Sequence, residues 1–263
     1  MTKRKTTGTL RIISLAPSAS SILCAIGAKH LLAGVTKWCK EVAPVGHLPQ
    51  VGDCWSGDPA EILALHPTLV IGSVPYKQET VGRLLEHPLT FLAMNPRSLA
   101  GIESDIRLLG RIVDRAAAAD KLAARMRREF AALAKRSKRA KRRPRVYCES
   151  WPNPRISSPP WVAELVKIAG GALAVPAGQR VTDAQVAEAQ PDVIVLAWAA
   201  TGAKAKPEKA YAVAAWKNLP AIRDKRVYVI SDELLNTPGP PLLAGARELA
   251  RILQNLPARQ ARA

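Results

Sequence analysis

The residues able to carry chemistry come first. This 263-residue chain holds four His, four Cys and 21 carboxylates. Cys148 and Glu149 stand side by side, a thiol next to a carboxylate. A nucleophilic cysteine needs a base, most often His, and no His lies near this pair in the sequence. The chain has no Gly-rich phosphate loop, no GxSxG and no HExxH. Zinc needs several converging His, Cys or carboxylates. The four His (30, 47, 66, 87) have no paired spacing, and the four Cys (24, 39, 54, 148) form no CxxC. We therefore assign no catalytic residue, no metal site and no resident cofactor. His66 and His87 precede prolines and read as structural. His47 lies between Cys39 and Cys54, within reach of a ligand's metal. Those two Cys fall in loops that a disulfide could join, and Cys24 reads as core.

The aromatic residues are more informative. Apolar runs end at Trp38, Tyr76, Trp151 and Trp198, and Trp55 sits between Gly52 and Gly57. Trp161 opens a helical pattern that stops at Gly170, and Trp216 reads as packing. In open α/β sheets the carboxyl ends of the strands and their loops build the ligand crevice. Trp38, Cys39, Trp55, Tyr76, Glu149, Trp151, Trp161 and Trp198 are accordingly the expected ligand-binding residues. Pro17 and Ser18 join them, because the turn from the first strand into a helix offers free backbone N–H groups. Such a cleft suits a large, flat, partly apolar ligand. Arg155 and Arg180 are the cations available to an anionic one.

The elements that must position these residues follow from an internal repeat. Residues 58–73, DPAEILALHPTLVIGS, align with 182–197, TDAQVAEAQPDVIVLA, at a constant offset of 124. Each reads as a short helix, a Pro and a strand buried on both faces. RIISLAPS and RVYCESWP open the two halves alike. Between them, residues 98–143 keep helical spacing at Ile102, Ile106, Leu109, Val113, Leu122, Met126, Phe130 and Leu133. The expected fold is therefore α/β, with two Rossmann-like lobes (8–97 and 144–258) and one long helix (98–143) joining them. Gly27 is expected to end the first helix and Pro144 the long one.

The chain has a net charge of +18, and 135–145 alone carries eight basic residues. Lys3, Arg4 and Lys5 add three more. The basic run reads as a solvated helix end, with anionic lipid and nucleic acid as its other readings. No aromatic residue interleaves with it, so no nucleic-acid partner is expected. The N-terminus has no apolar secretory core, which leaves a cytoplasmic residence open.

The ordered segments RIISLAPSASSILCAIGA, GVTKWC, LPQVGD, AEILALHPTLVIGS, VYCESWPNP, WVAELVKIAGG, AQVAEAQPDVIVLAW, RVYVIS and TPGPPLL resemble the substrate-binding proteins of ABC importers for vitamin B12 and iron-siderophores. The resemblance spans residues 11–255 and is greatest to the cobalamin-binding branch. It implies a monomer that is not an enzyme, is periplasmic or at the cell surface, and holds a corrinoid in a cleft between two lobes. It also implies delivery to an ABC permease at the membrane, docked through one acidic residue on each lobe. Glu79 is the match in the first half. The offset of 124 leads to Glu208 in the second. Haem or ferric-siderophore binding, a cytoplasmic corrinoid carrier and a two-lobed enzyme remain the other readings. The missing signal and the strong basicity depart from the family pattern.

Overall fold

A computed structural model describes residues 10–138 and 143–256. The expected boundaries at 8 and 258, the N-terminal basic residues and positions 139–142 of the basic run lie outside the described residues. The chain forms two units, each with its own sheet.

In the first unit the strands are Ile12–Ser14 (β1), Leu32–Thr36 (β2), Gln50–Val51 (β3), Leu69–Ser73 (β4) and Phe91–Met94 (β5). Their order is β3-β2-β1-β4-β5, and every pair is parallel. β1 and β4 are buried along their whole length, which is why they read as unbroken apolar runs. The helices are Pro17–Ala25 (α1), Pro59–Leu63 (α2), Gln78–Leu85 (α3) and Leu99–Ile112 (α4); the next helix, Ala116–Ser137 (α5), begins in this unit and ends in the second. Gly27, at φ 77°, ends α1 as expected. The Ala28 N–H donates to the Leu23 carbonyl at 2.8 Å across it.

The second unit holds Arg145–Pro152 (β6), Arg155–Ser157 (β7), Ala172–Leu173 (β8), Val193–Leu196 (β9) and Val227–Val229 (β10). The order is β10-β9-β6-β7, with β8 also on β6; only β7 is antiparallel. Its helices are Val162–Ile168 (α6), Asp183–Glu188 (α7), Glu208–Tyr211 (α8), Pro220–Arg223 (α9), Asp232–Asn236 (α10) and Leu242–Gln254 (α11). Tyr147, Ile194, Leu196, Trp198 and Trp216 centre its core.

The repeat holds at the level of single bonds. Asp58 caps α2 and, 124 residues on, Thr182 caps α7 through a capping box with Gln185. His66 and Gln190, each before a Pro, both adopt positive φ (49° and 44°). The next pair clamps the incoming strand in the same way. Thr68 N–H donates to Arg11 O at 2.9 Å, and Asp192 N–H to Arg145 O at 2.8 Å. The side chains of Thr68 and Asp192 return the bond, each accepting from that arginine's N–H at 2.8 Å.

The expected single long helix is instead two. α4 is stopped just past Ile112 by Asp114, which sits at φ 54°. Arg115 N–H donates to Gly110 O at 2.6 Å and Asp114 N–H to Arg111 O at 3.4 Å. These are the two bonds of a Schellman stop. Gly110 lets the following turn come close: a Cβ there would lie 2.3 Å from the Ala119 Cβ. The division between units also moves. Ala100–Ala124 pack with the first unit, and Arg97–Leu99 and the chain from Arg125 with the second.

Candidate functional site

In a parallel sheet all carboxyl ends lie on one edge. The loops leaving β1 and β4 flank the point where the strand order of the first sheet reverses, the usual ligand position in such sheets. Pro17 stands in the first turn of α1 and is partly exposed. Ser18 is buried, and so is Ser73 at the end of β4; neither hydroxyl has a hydrogen-bond partner. After β2, Trp38 is half-buried with the Lys37 ammonium 4.6 Å from its ring centroid. After β3, Asp53 folds the loop by accepting from the Trp55 N–H at 2.9 Å and the Ser56 N–H at 3.0 Å. That turn leaves Trp55 55% exposed. Tyr76, after β4, is half-buried. Its hydroxyl donates to Met94 O at 2.9 Å and its ring lies against Gly72. Burial above all pushes that hydroxyl well above its ordinary pKa.

Cys39 is no ligand contact: it is fully buried, with its sulfur 3.2 Å from the Thr36 hydroxyl. Cys54 is buried too and faces the Leu15 carbonyl, 4.0 Å away. Both are free thiols, so the disulfide is not formed. All four His come just ahead of a strand: His30 before β2, His47 before β3, His66 before β4 and His87 before β5. That puts them at the amino edge of the sheet, away from the loops just described. His30 and His47 line a shallow depression there with Gly27, Lys29, Leu32 and Leu48.

In the second unit the β6–β7 hairpin carries Trp151, 40% exposed, with its indole N–H on Asn153 O at 2.8 Å. Glu149 is only 1% exposed and is not a ligand residue. Its carboxylate accepts from Tyr147 Oη at 2.7 Å, Arg155 Nη1 at 2.7 Å and Trp198 Nε1 at 2.8 Å. Arg155 also pairs with Asp183, and its guanidinium carbon lies 4.2 Å from the Trp216 ring centroid. The cation proposed for an anionic ligand is thus fully engaged at home. Trp198 and Trp161 are likewise corrected to core. Trp161 donates to Leu235 O at 2.8 Å, and Trp216 packs edge-on to Tyr147, as expected for packing. Cys148 is fully buried, which pushes its thiol up to about 12; it is not a nucleophile at neutral pH.

Sequence reading missed the Tyr147–Glu149–Arg155–Asp183 cluster. A signal was present: Tyr147, Glu149 and Trp151 alternate on one strand, so the first two share a face.

Glu79, in the first turn of α3, is exposed and 3.2 Å from the Lys77 ammonium. Glu208 opens α8 and is exposed. No helix among the described residues is long and apolar enough to cross a membrane.

Comparison with known proteins places this architecture. A model of the family described as periplasmic binding protein matches residues 12–234. The ABC transporter substrate-binding lipoprotein YvrC of Bacillus subtilis (strain 168) is 26% identical, covering 91% of this chain and 78% of its own. The vitamin B12-binding protein of Vibrio parahaemolyticus is 27% identical, covering 94% and 90%. Among solved structures, Staphylococcus aureus IsdE complexed with heme superposes with a TM-score of 0.80 at 18% identity, covering 93% and 99%. Vibrio cholerae BtuF, a periplasmic vitamin B12-binding protein, gives 0.73 at 22%, covering 93% and 96%. At these identities the structures establish the two-lobed α/β fold alone. The matched family consists of binding proteins that serve ABC transporters, not of enzymes. With a match over nearly the whole chain, this protein belongs to the periplasmic binding protein family and is an ABC-transporter substrate-binding protein.

Proposed function

We propose that the chain captures a corrinoid and hands it to an ABC permease outside the cytoplasmic membrane, acting as a monomer. One arrangement carries this reading. Each unit offers an exposed Trp beside its strand ends, Trp55 and Trp151, while all four His sit at the other edge of the first sheet. Haem iron is held by a protein ligand such as His, Met, Tyr or Cys. Cyanocobalamin brings both axial ligands of its cobalt, so aromatic faces and backbone groups are enough to hold it. Trp38, Tyr76 and Pro17 complete the wall in the first unit. The vitamin B12-binding relative supports the same choice. Haem is the second reading, favoured by the heme-complexed structural neighbour. It would require the Tyr76 hydroxyl to leave Met94 O, or the buried Met94 sulfur to come out. Glu79 and Glu208 are the proposed contacts to the permease.

Calorimetric titration of the purified protein with cyanocobalamin, haemin and a ferric siderophore tests the ligand. Saturable 1:1 binding of cyanocobalamin is expected. Binding of haemin without cyanocobalamin would overturn the corrinoid and leave the family assignment intact.

A further inference from the structure

The second unit carries a cationic face that includes none of the residues proposed above for ligand capture. The buried side of α5 there is Met126, Phe130 and Ser137. Opposite it, Arg125, Arg128, Lys135 and Arg136 are all exposed. At 100° per residue they fall within a sector of about 100°, and span about 16 Å of helix. Lys138 follows at the helix end and is exposed. Alongside, α11 exposes Arg247 and Arg251. The acids of this face are already engaged. Glu129 takes Arg125 at 2.8 Å and also Arg247, joining the two helices, and Glu248 takes Arg251 at 2.5 Å. Among the described residues, Arg128, Lys135, Arg136 and Lys138 have no carboxylate within ion-pair distance.

We propose that this face docks on an anionic lipid bilayer, lying flat with the axis of α5 along the surface. Several observations choose a bilayer over other polyanions. The cations lie along one side of a single continuous helix, so they present a row and not a groove. No aromatic side chain is exposed among them, so nothing is there to stack on a base. Between Arg128 and Lys135 the exposed residues are Ala131 and Ala132, which leave a smooth row of charge. The apolar side of α5 is packed inward, so the attachment is electrostatic, without insertion. Docking of this kind confines the search for a permease to the membrane surface.

The test is co-sedimentation of the full chain with vesicles. Binding is expected to vesicles of phosphatidylcholine containing phosphatidylglycerol and not to phosphatidylcholine alone. It should vanish when salt shortens the Debye length to about 3 Å. The variant R128E/K135E/R136E/K138E should bind at least about tenfold more weakly. The control K40E/R83E/K217E/R223E, which changes net charge equally at exposed sites off this face, should bind like the parent. Equal binding to both vesicle types overturns the proposal. So does an equal loss in both variants, which would make net charge the cause. Preference for a DNA duplex over vesicles at equal phosphate concentration would assign the face to nucleic acid instead and overturn it as well. Both variants keep the core side chains, and unchanged cyanocobalamin affinity and circular dichroism verify their folding.

Discussion

Three of the six Trp are buried and donate their indole N–H within the second unit: Trp161 to Leu235 O, Trp198 to Glu149 and Trp216 to Asp183 O. Trp55 and Trp151 are the two left largely exposed. A Trp face on a flat ligand contributes about 1 kcal/mol beyond its area term. Replacing Trp55 or Trp151 with Ala should therefore weaken cyanocobalamin binding about tenfold, read by calorimetry. Thermal stability should stay within about 0.5 kcal/mol of the parent, as for other surface changes. Trp198→Ala should do the reverse. It empties a core site and strips a donor from a buried carboxylate, costing about 3–5 kcal/mol in urea unfolding. If Trp55→Ala and Trp151→Ala both bind like the parent, the wall is elsewhere. These residues explain what could be read in advance. Position at a strand end was visible in the sequence. Exposure was not, because it depends on a partner distant in the chain: Leu235 is 74 residues from Trp161. The same holds for Glu149. A carboxylate next to a Trp and a Pro looks like a site, but the Arg155 hairpin and Tyr147 turn it into a structural anchor.

At the scale of elements, the repeat was legible because local rules impose it twice: a cap, a short helix, a left-handed residue, a Pro and a buried strand. The division of the helical stretch was not legible. Nine residues separate Val113 from Leu122, about half a turn out of phase at 100° per residue, but Ala116–Ala119 bridge the gap with the best helix former, and Asp is a less common occupant of the left-handed stop than Gly. Gly110 was visible in the middle of the stretch. Its role depends on Ala119, a contact made only once the chain has turned. Gly110→Ala should cost about 1–3 kcal/mol by overpacking, measured by thermal unfolding. Asp114→Gly should stabilise by about 0.5–1 kcal/mol, because Gly adopts the same φ without strain. A Gly110→Ala protein as stable as the parent would mean the turn is not closed as described. α4 also carries a titratable marker. Burial pushes the Asp105 carboxyl up to about 6 from 3.8. Well below pH 3.8 the group is neutral in both folded and unfolded chains and costs nothing. As pH rises toward 6, the unfolded chain ionises freely and the folded one resists, so stability falls. Asp105→Asn should gain stability over that window and hold it above, on the order of 1 kcal/mol after solvent screening of a half-exposed group. A stability difference that is flat from pH 4 to 7 would rule this out.

At the scale of the whole molecule, a chain of net charge +18 has to meet a permease. If that permease presents basic pockets, as the family resemblance implies, long-range forces oppose the encounter and short-range acids must carry it. Glu79 and Glu208 are the proposed contacts, each exposed in the first turn of a helix. Their surroundings work against them. The Lys77 ammonium is 3.2 Å from Glu79, and Lys206 and Lys209 flank Glu208 in sequence. A permease Arg must displace Lys77 before it can pair with Glu79 in the bidentate geometry that makes such contacts strong. Two consequences follow. Lys77→Ala should strengthen docking by freeing the carboxylate, a gain that salt diminishes. Glu79→Ala with Glu208→Ala should abolish transport in vesicles bearing the cognate permease while leaving cyanocobalamin affinity unchanged. Each single variant should be intermediate, since one lobe would stay engaged. Transport at the parental rate by the double variant would remove these acids from the docking surface. Binding unaffected in solution but lost on the vesicle would separate capture from delivery in one protein.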